Sequence, residues 1–145
     1  MKMKLEPSRR QDAKNRSLRL CAFASLCFAF LSFPALAGTN HLFVSNEKGN
    51  GLTVLNATDY TPVAVIKTGA RPRGMVFGPD HKLLYVACGG ANRVDIVDVA
   101  AMKVVGHIGG IDDPETFDLD KNGGRLFISN EDEGALSIYD LASKK

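Results

Sequence analysis

Phe43-Val44-Ser45-Asn46 returns as Tyr85-Val86-Ala87-Cys88 and again as Phe127-Ile128-Ser129-Asn130. The step is 42 residues both times, from 43 to 85 and from 85 to 127, without a gap. Nine residues after each copy begins, a second apolar run follows: Leu52-Thr53-Val54-Leu55, Val94-Asp95-Ile96-Val97 and Leu136-Ser137-Ile138-Tyr139. The polar residue inside each run (Thr53, Asp95, Ser137) predicts strands that are half buried, with one face wet. Asn56, Asp98 and Asp140 end these runs, and their side chains suit a bond to the next turn's backbone. Third strands are expected at Val63–Ile66 and Val104–Ile108. Fourth strands are expected at Gly74–Phe77 and Thr116–Leu119, introduced by Pro72 and Pro114. No long helical period interrupts the pattern.

Four short strands per repeat of this length is the signature of a β-propeller blade. The expected fold class is therefore all-β, a β-propeller of four-stranded blades. A lone blade cannot cover both of its faces, so blades stack around an axis. Taking the strand after each proline as the innermost, strand A, residues 38–145 hold strands B–D of blade 1, all of blade 2 and strands A–C of blade 3. That is an incomplete ring of about two and a half blades, where a ring needs at least four. The expectation is a piece of a longer propeller; the alternative is a ring assembled from several chains.

Residues 1–37 read as a secretory signal peptide. The first 19 residues carry Lys2, Lys4, Arg9, Arg10, Lys14, Arg16 and Arg19, and an apolar run of 14 residues follows from Leu20 to Phe33. That run is short of the roughly 20 residues that span a bilayer. Pro34 breaks it, and Ala35-Leu36-Ala37 places cleavage between Ala37 and Gly38. Arg9-Arg10 resembles a twin-arginine signal without the apolar residues that should follow. The Sec and twin-arginine routes both stay open. The whole chain has 18 basic and 16 acidic residues. The leader takes 7 basic residues with Glu6 and Asp12, which leaves 11 basic and 14 acidic, a net −3. The apparent basicity thus belongs to export, which argues against a nucleic-acid partner. Only Cys88 survives cleavage, so no intramolecular disulfide supports the fold, and Cys88 is expected to be a small buried apolar residue.

Hairpin alternation decides which loops share an end of the blades. The D–A and B–C loops fall together, which gathers Arg71, Arg73, Asp113 and Glu115 with Asn46, Glu47, Asn130 and Glu131. These are the candidate ligand- or partner-binding residues, set where the innermost strands begin. The alternative is a solvated rim of loop charge. Asp118-Leu119-Asp120-Lys121-Asn122-Gly123 looks like the opening of a calcium loop, but Ser129 stands where the closing acid is needed. Asn122-Gly123 favours an ordinary hairpin tip. His41, His81 and His107 are too scattered to form a metal cluster, and no nucleophile motif or phosphate loop occurs. No catalytic residue and no metal site is expected.

The three copies of the first strand resemble the YVTN family of β-propellers across the whole of residues 38–145. Ser45-Asn46-Glu47, Gly69-Ala70-Arg71-Pro72-Arg73-Gly74, Asp113-Pro114-Glu115-Thr116-Phe117 and Ser129-Asn130-Glu131-Asp132 are closer to one branch. That branch is the β-propeller protein associated with pyrroloquinoline quinone (PQQ)-dependent catabolism. The resemblance implies a periplasmic protein of a Gram-negative bacterium. It also implies a quinoprotein dehydrogenase system, or a small ligand, as partner. PQQ is implied for the partner enzyme and not as a cofactor of this chain. The function expected is a non-enzymatic binding or accessory propeller beside PQQ-dependent alcohol oxidation. Two alternatives are a lactonase-type propeller hydrolase and a surface or nucleic-acid-binding propeller. Cys88 departs from the Asn that closes the motif in the other two copies.

Overall fold

The computed structural model describes residues 40–145. The leader and its cleavage point between Ala37 and Gly38 lie outside the described residues. Ten strands make three antiparallel sheets. Blade 1 has β1 (His41–Asn46), β2 (Gly51–Asn56) and β3 (Pro62–Lys67), in that order across the sheet. Blade 2 has β4 (Pro72–Phe77), β5 (Leu83–Cys88), β6 (Arg93–Asp98) and β7 (Lys103–Gly109), joined edge to edge in sequence order. Blade 3 has β8 (Pro114–Leu119), β9 (Arg125–Asn130) and β10 (Ala135–Asp140). The expected strands are all present, and Pro72 and Pro114 each open the innermost strand, a position where the missing N–H breaks no ladder.

Turn chemistry explains the short links. Asn56 Oδ1 accepts from the Thr58 N–H at 2.8 Å, Asp98 Oδ1 from Ala101 N–H at 2.8 Å, and Asp140 Oδ1 from Ser143 N–H at 2.8 Å. These are the side-chain-to-turn bonds anticipated for the residues ending each C strand. The segment Asp118–Gly123 is an A–B hairpin: Asp120 Oδ1 accepts from the N–H groups of Gly124 and Arg125, and Gly123 sits at φ +70°.

Backbone conformation repeats with the same period as the sequence. Left-handed residues occur at Asn50, Asn92 and Gly134, at Arg71 and Asp113, at Tyr60, Met102 and Lys144, and at His81 and Gly123. Each group is spaced by 42 positions. The ladders shift register between Pro72 and Met75 and again between Pro114 and Phe117, at equivalent places in the two innermost strands.

Blade 2 is covered on both faces. On one side Leu52, Val54 and Ile66 of blade 1 pack on Leu84, Val86, Cys88, Val97 and Val99. On the other, Tyr85, Ala87, Val94, Ile108 and Ile111 pack with Phe117, Leu126 and Ile128 of blade 3. The apolar alternation that builds each strand therefore supplies two inter-blade cores, and β5 is buried along nearly its whole length. Burial of one such side chain contributes roughly 1.5–3 kcal/mol.

One expectation is corrected here. The polar residue inside each C strand was expected on a wet face, yet Asp95 is 0% exposed. It is tolerated because its charge is met: Oδ1 lies 2.7 Å from Arg93 Nε, and Oδ2 accepts from the Gly69 N–H at 2.7 Å. The Arg93 Nε–H does not point along the 2.7 Å line, so this contact is an ion pair rather than a well-directed hydrogen bond. Asp95 thus ties β6 to the loop that carries the chain from blade 1 into blade 2.

Candidate functional site

The loops leading into β4 and β8 share an end of the blades with the loops after β1, β5 and β9. Contacts across this end are direct. Glu131 N–H donates to the Asp113 carbonyl, and Gly89 N–H to that of Arg71, both at 3.1 Å. Asn50 Oδ1 accepts from the Arg71 N–H at 3.0 Å, and Asn92 Oδ1 from the Asp113 N–H at 3.1 Å. These two asparagines occupy one repeat position, and each staples the loop of its own blade to the strand start of the next. The third such position is Gly134, which has no side chain to do this.

The staples fix the backbone from which the candidate side chains project. Arg71 Nε lies 3.3 Å from Glu47 Oε1, and its Nη1 lies 3.7 Å from Asp113 Oδ1. Arg73 Nη2 lies 3.1 Å from Glu115 Oε1, and its Nη1 pairs with Glu131. Two arginines of blade 2 therefore link one carboxylate of blade 1 to three of blade 3. The pairing follows the repeat: Arg71 aligns with Asp113 and Arg73 with Glu115, one period apart. Neighbouring blades carry opposite charge at equivalent positions, and each position meets its own counterpart.

Asn46 and Asn130 play a different part. Asn46 Oδ1 accepts from the Gly49 N–H at 2.9 Å and closes its own turn. Asn130 is buried, donates Nδ2–H to the Asp112 carbonyl at 2.7 Å and accepts from the Ser137 hydroxyl at 2.8 Å. Both shape the loops, Asn130 with both polar atoms of its side chain and Asn46 through its Oδ1. Asp113 is also buried; among the described residues its Oδ1 has no hydrogen-bond donor, and its charged partner is Arg71. Cys88, at the Asn46 and Asn130 position, is fully buried, and burial pushes its thiol up to about 11, with Asp95 adding to the rise.

Electrostatics set the cluster's protonation. The hydrogen bond to Glu131 raises the Arg73 guanidinium above its ordinary value, and the same bond holds the Glu131 carboxyl below its ordinary 4.5. A depressed carboxylate stabilises the fold above its unfolded value and loses that contribution as pH falls through the folded one. Destabilisation by Arg73→Gln is accordingly expected to be full at pH 7 and to shrink below pH 4.5. Thermal melts of wild type and variant at pH 7 and pH 3 check this; an unchanged gap contradicts the pairing.

Charge is distributed unevenly over the fold. At this end lie Glu47, Asp112, Asp113, Glu115, Glu131, Asp132 and Glu133 against Lys48, Lys67, Arg71 and Arg73. At the opposite end six acids (Asp59, Asp80, Asp98, Asp118, Asp120, Asp140) balance six bases (Lys82, Lys103, Lys121, Arg125, Lys144, Lys145). Arg93 and Asp95 cancel one another. The whole net −3 of residues 40–145 therefore sits on the loop end that bears the cluster. Among the described residues no three or more His, Cys, Asp or Glu side chains are grouped to hold a metal ion.

The sequence reading named the charged residues and missed their supports. Asn50 and Asn92 were legible as one repeat position, but their value depends on left-handed backbone that no local motif announces. Asp95 looked like a wet-face residue because the alternation alone cannot show that the next blade covers it.

No family model matches the sequence, and no curated protein does. Solved structures do. Hydrazine synthase from Kuenenia stuttgartiensis is 21% identical over 72% of this chain, with a TM-score of 0.65. The dihydro-heme d1 dehydrogenase NirN, solved in complex with DHE, is 23% identical over 70%, with a TM-score of 0.58. A functionally unknown protein from Desulfotomaculum acetoxidans DSM 771 is 17% identical over 70%, with a TM-score of 0.53. This chain spans 30%, 22% and 38% of those three chains. Likeness at such identities concerns the fold and not the chemistry. The repeat, the three radially stacked sheets and these neighbours together identify the chain as β-propeller blades.

Proposed function

We propose that this chain is a non-enzymatic binding or accessory propeller that works in the periplasm beside a PQQ-dependent alcohol-oxidation system. The YVTN-like strands and the branch motifs around Arg71–Gly74 and Asp113–Phe117 support that setting. The observation that carries the binding role is the ion-pair cluster of Arg71, Arg73, Glu47, Asp113, Glu115 and Glu131. Its charges are placed by all three blades at the start of the innermost strands, and the chain's net charge is concentrated around it. Such a face steers a partner by field and fixes orientation by directed pairs. Carboxylates already neutralised by arginines are poorly suited to acid–base work and well suited to recognition.

Two measurements test the proposal. Protein recovered from the periplasm should begin at Gly38 by mass spectrometry; a terminus still at Met1 removes the exported setting. The immobilised protein should retain a quinoprotein alcohol dehydrogenase at low salt and release it as ionic strength rises. Asp132→Asn/Glu133→Gln, a change of exposed charge outside the ion pairs, should weaken retention several-fold while leaving the melting temperature within a few degrees. Retention that ignores both salt and this variant, or no retention at all, rejects the partner.

A further inference from the structure

Asn-Gly occurs twice in the sequence, at Asn50-Gly51 and at Asn122-Gly123. Asparagine is chemically labile, most of all before glycine, whose bare Cα leaves the next backbone nitrogen open beside the asparagine Cγ. The fold treats the two copies in opposite ways. Gly51 is buried in the middle strand of blade 1, paired with Asn46 of β1 on one side and Lys67 of β3 on the other. Asn50 is held as well: its carbonyl accepts from the Thr68 N–H at 3.2 Å, and its Oδ1 from the Arg71 N–H at 3.0 Å. The Asn50 Cγ cannot turn onto the Gly51 nitrogen while these bonds stand. Asn122, by contrast, is exposed at the tip of the hairpin between β8 and β9. Among the described residues the side-chain hydrogen bonds of this tip come from Asp120 and leave the Asn122 amide unheld. The exposure belongs to the tip itself. One repeat earlier Asp80 holds the same position in blade 2, which has a blade on either side, and its side chain is 55% exposed.

We propose that Asn122 is a site of covalent modification in the folded protein, losing its amide to give aspartyl and isoaspartyl forms, while Asn50 is protected. The attacking nitrogen of Gly123 is held by one turn bond, to the Asp120 carbonyl at 2.8 Å. Opening a single turn frees it, whereas Gly51 is freed only when the pairing of β2 is lost. The Gly123 nitrogen then bonds to the Asn122 Cγ, the Cγ–Nδ2 bond breaks, and ammonia leaves with the proton of the former N–H. Water opens the resulting succinimide at either carbonyl. Attack at Cγ yields aspartate; attack at the main-chain carbonyl yields isoaspartate, with an extra methylene in the backbone. The two products differ in how the fold receives them. Aspartate already stands at this position in blade 2, where Asp80 Oδ1 accepts from the Lys82 N–H at 3.1 Å. Isoaspartate lengthens the chain where Gly123 lies so close to Pro79 of the neighbouring hairpin that no methyl group fits between them. That product therefore separates the two hairpin tips. The inference is independent of the proposed periplasmic role.

Ageing the purified protein at mildly alkaline pH tests this. Peptide mapping should find amide loss at Asn122 about tenfold faster than at Asn50, and the two rates should converge in denaturant, where no ladder protects Gly51. Asn122→Gln should stop the early acidic shift of the aged protein. Asn122→Asp, which supplies the ordinary product directly, should melt with the wild type. The isoaspartyl fraction, isolated by chromatography, should melt several degrees below it. Equal rates at the two sites in the folded protein, or no amide loss at Asn122, overturn the assignment. An acidic shift that persists unchanged in Asn122→Gln does the same. An isoaspartyl fraction that melts with Asn122→Asp overturns the effect assigned to the contact with Pro79.

Discussion

Arg93→Ala is expected to destabilise the fold by about 3 kcal/mol, the lower part of the range for breaking a buried ion pair. The charge left behind is the reason. Asp95 is 0% exposed and Arg93 is its only cationic partner among the described residues, at 2.7 Å, while the remaining contact is the Gly69 N–H. The lower part of the range applies because the Arg93 side chain is 34% exposed, and water can partly replace it at the mouth of the site. The other blades suggest how to separate charge from packing. Thr53 and Ser137 occupy the same position in blades 1 and 3 and need no arginine. Arg93→Ala/Asp95→Thr should therefore recover most of the stability lost by Arg93→Ala alone, since no unpaired charge remains buried. Denaturant melts of the four proteins in this cycle give the coupling directly. Arg93→Ala costing less than 1 kcal/mol would show that Asp95 does not depend on its partner.

That Asp95 was misplaced on a wet face, while Leu84, Val94 and Ile128 were not, marks what a repeat can and cannot reveal. Spacing between Phe43, Tyr85 and Phe127 fixes strand order, and strand order fixes which loops share an end. The meeting of Arg71 with Glu47 and of Arg73 with Glu131 follows from that parity. Periodicity of apolar residues also predicts the two inter-blade cores, because a strand such as β5 that is apolar at consecutive positions must be covered twice. Coverage of a polar side chain is another matter. It depends on where the adjacent blade sits, and no spacing within one strand encodes it. The left-handed residues show the same limit: Tyr60 and Met102 adopt positive φ without the glycine or asparagine that usually signals it. Asn46 and Asn130 looked like site residues because they stand beside Glu47 and Glu131, yet Asn130 uses its whole amide, and Asn46 its Oδ1, in holding the loops.

Gly74→Ala is expected to cost about 3 kcal/mol, the upper part of the overpacking range, and to loosen the charged cluster with it. Gly74 lies in β4 where the strand passes β8, and a Cβ there would come within 2.7 Å of the Glu115 carbonyl oxygen and 2.8 Å of the Thr116 Cα. Both are backbone atoms, so neither can rotate aside, and the innermost strands must separate. Its φ is ordinary, which makes the penalty one of space rather than conformation. Gly109→Ala is the control: the same atom is added at the end of β7, where nothing lies within 4 Å, and the change should be neutral or slightly stabilising through the unfolded chain. Because Arg73 precedes Gly74 and Glu115 precedes Thr116, parting the strands also draws Arg73 from Glu115, now at 3.1 Å, and from Glu131. The two effects should then be coupled. Arg73→Gln should cost clearly less in the Gly74→Ala background than in wild type, whereas it should keep its full cost beside Gly109→Ala. Additive losses in the first background would mean that the cluster does not rely on the close approach of the inner strands, and that the loop staples at Asn50 and Asn92 hold it unaided.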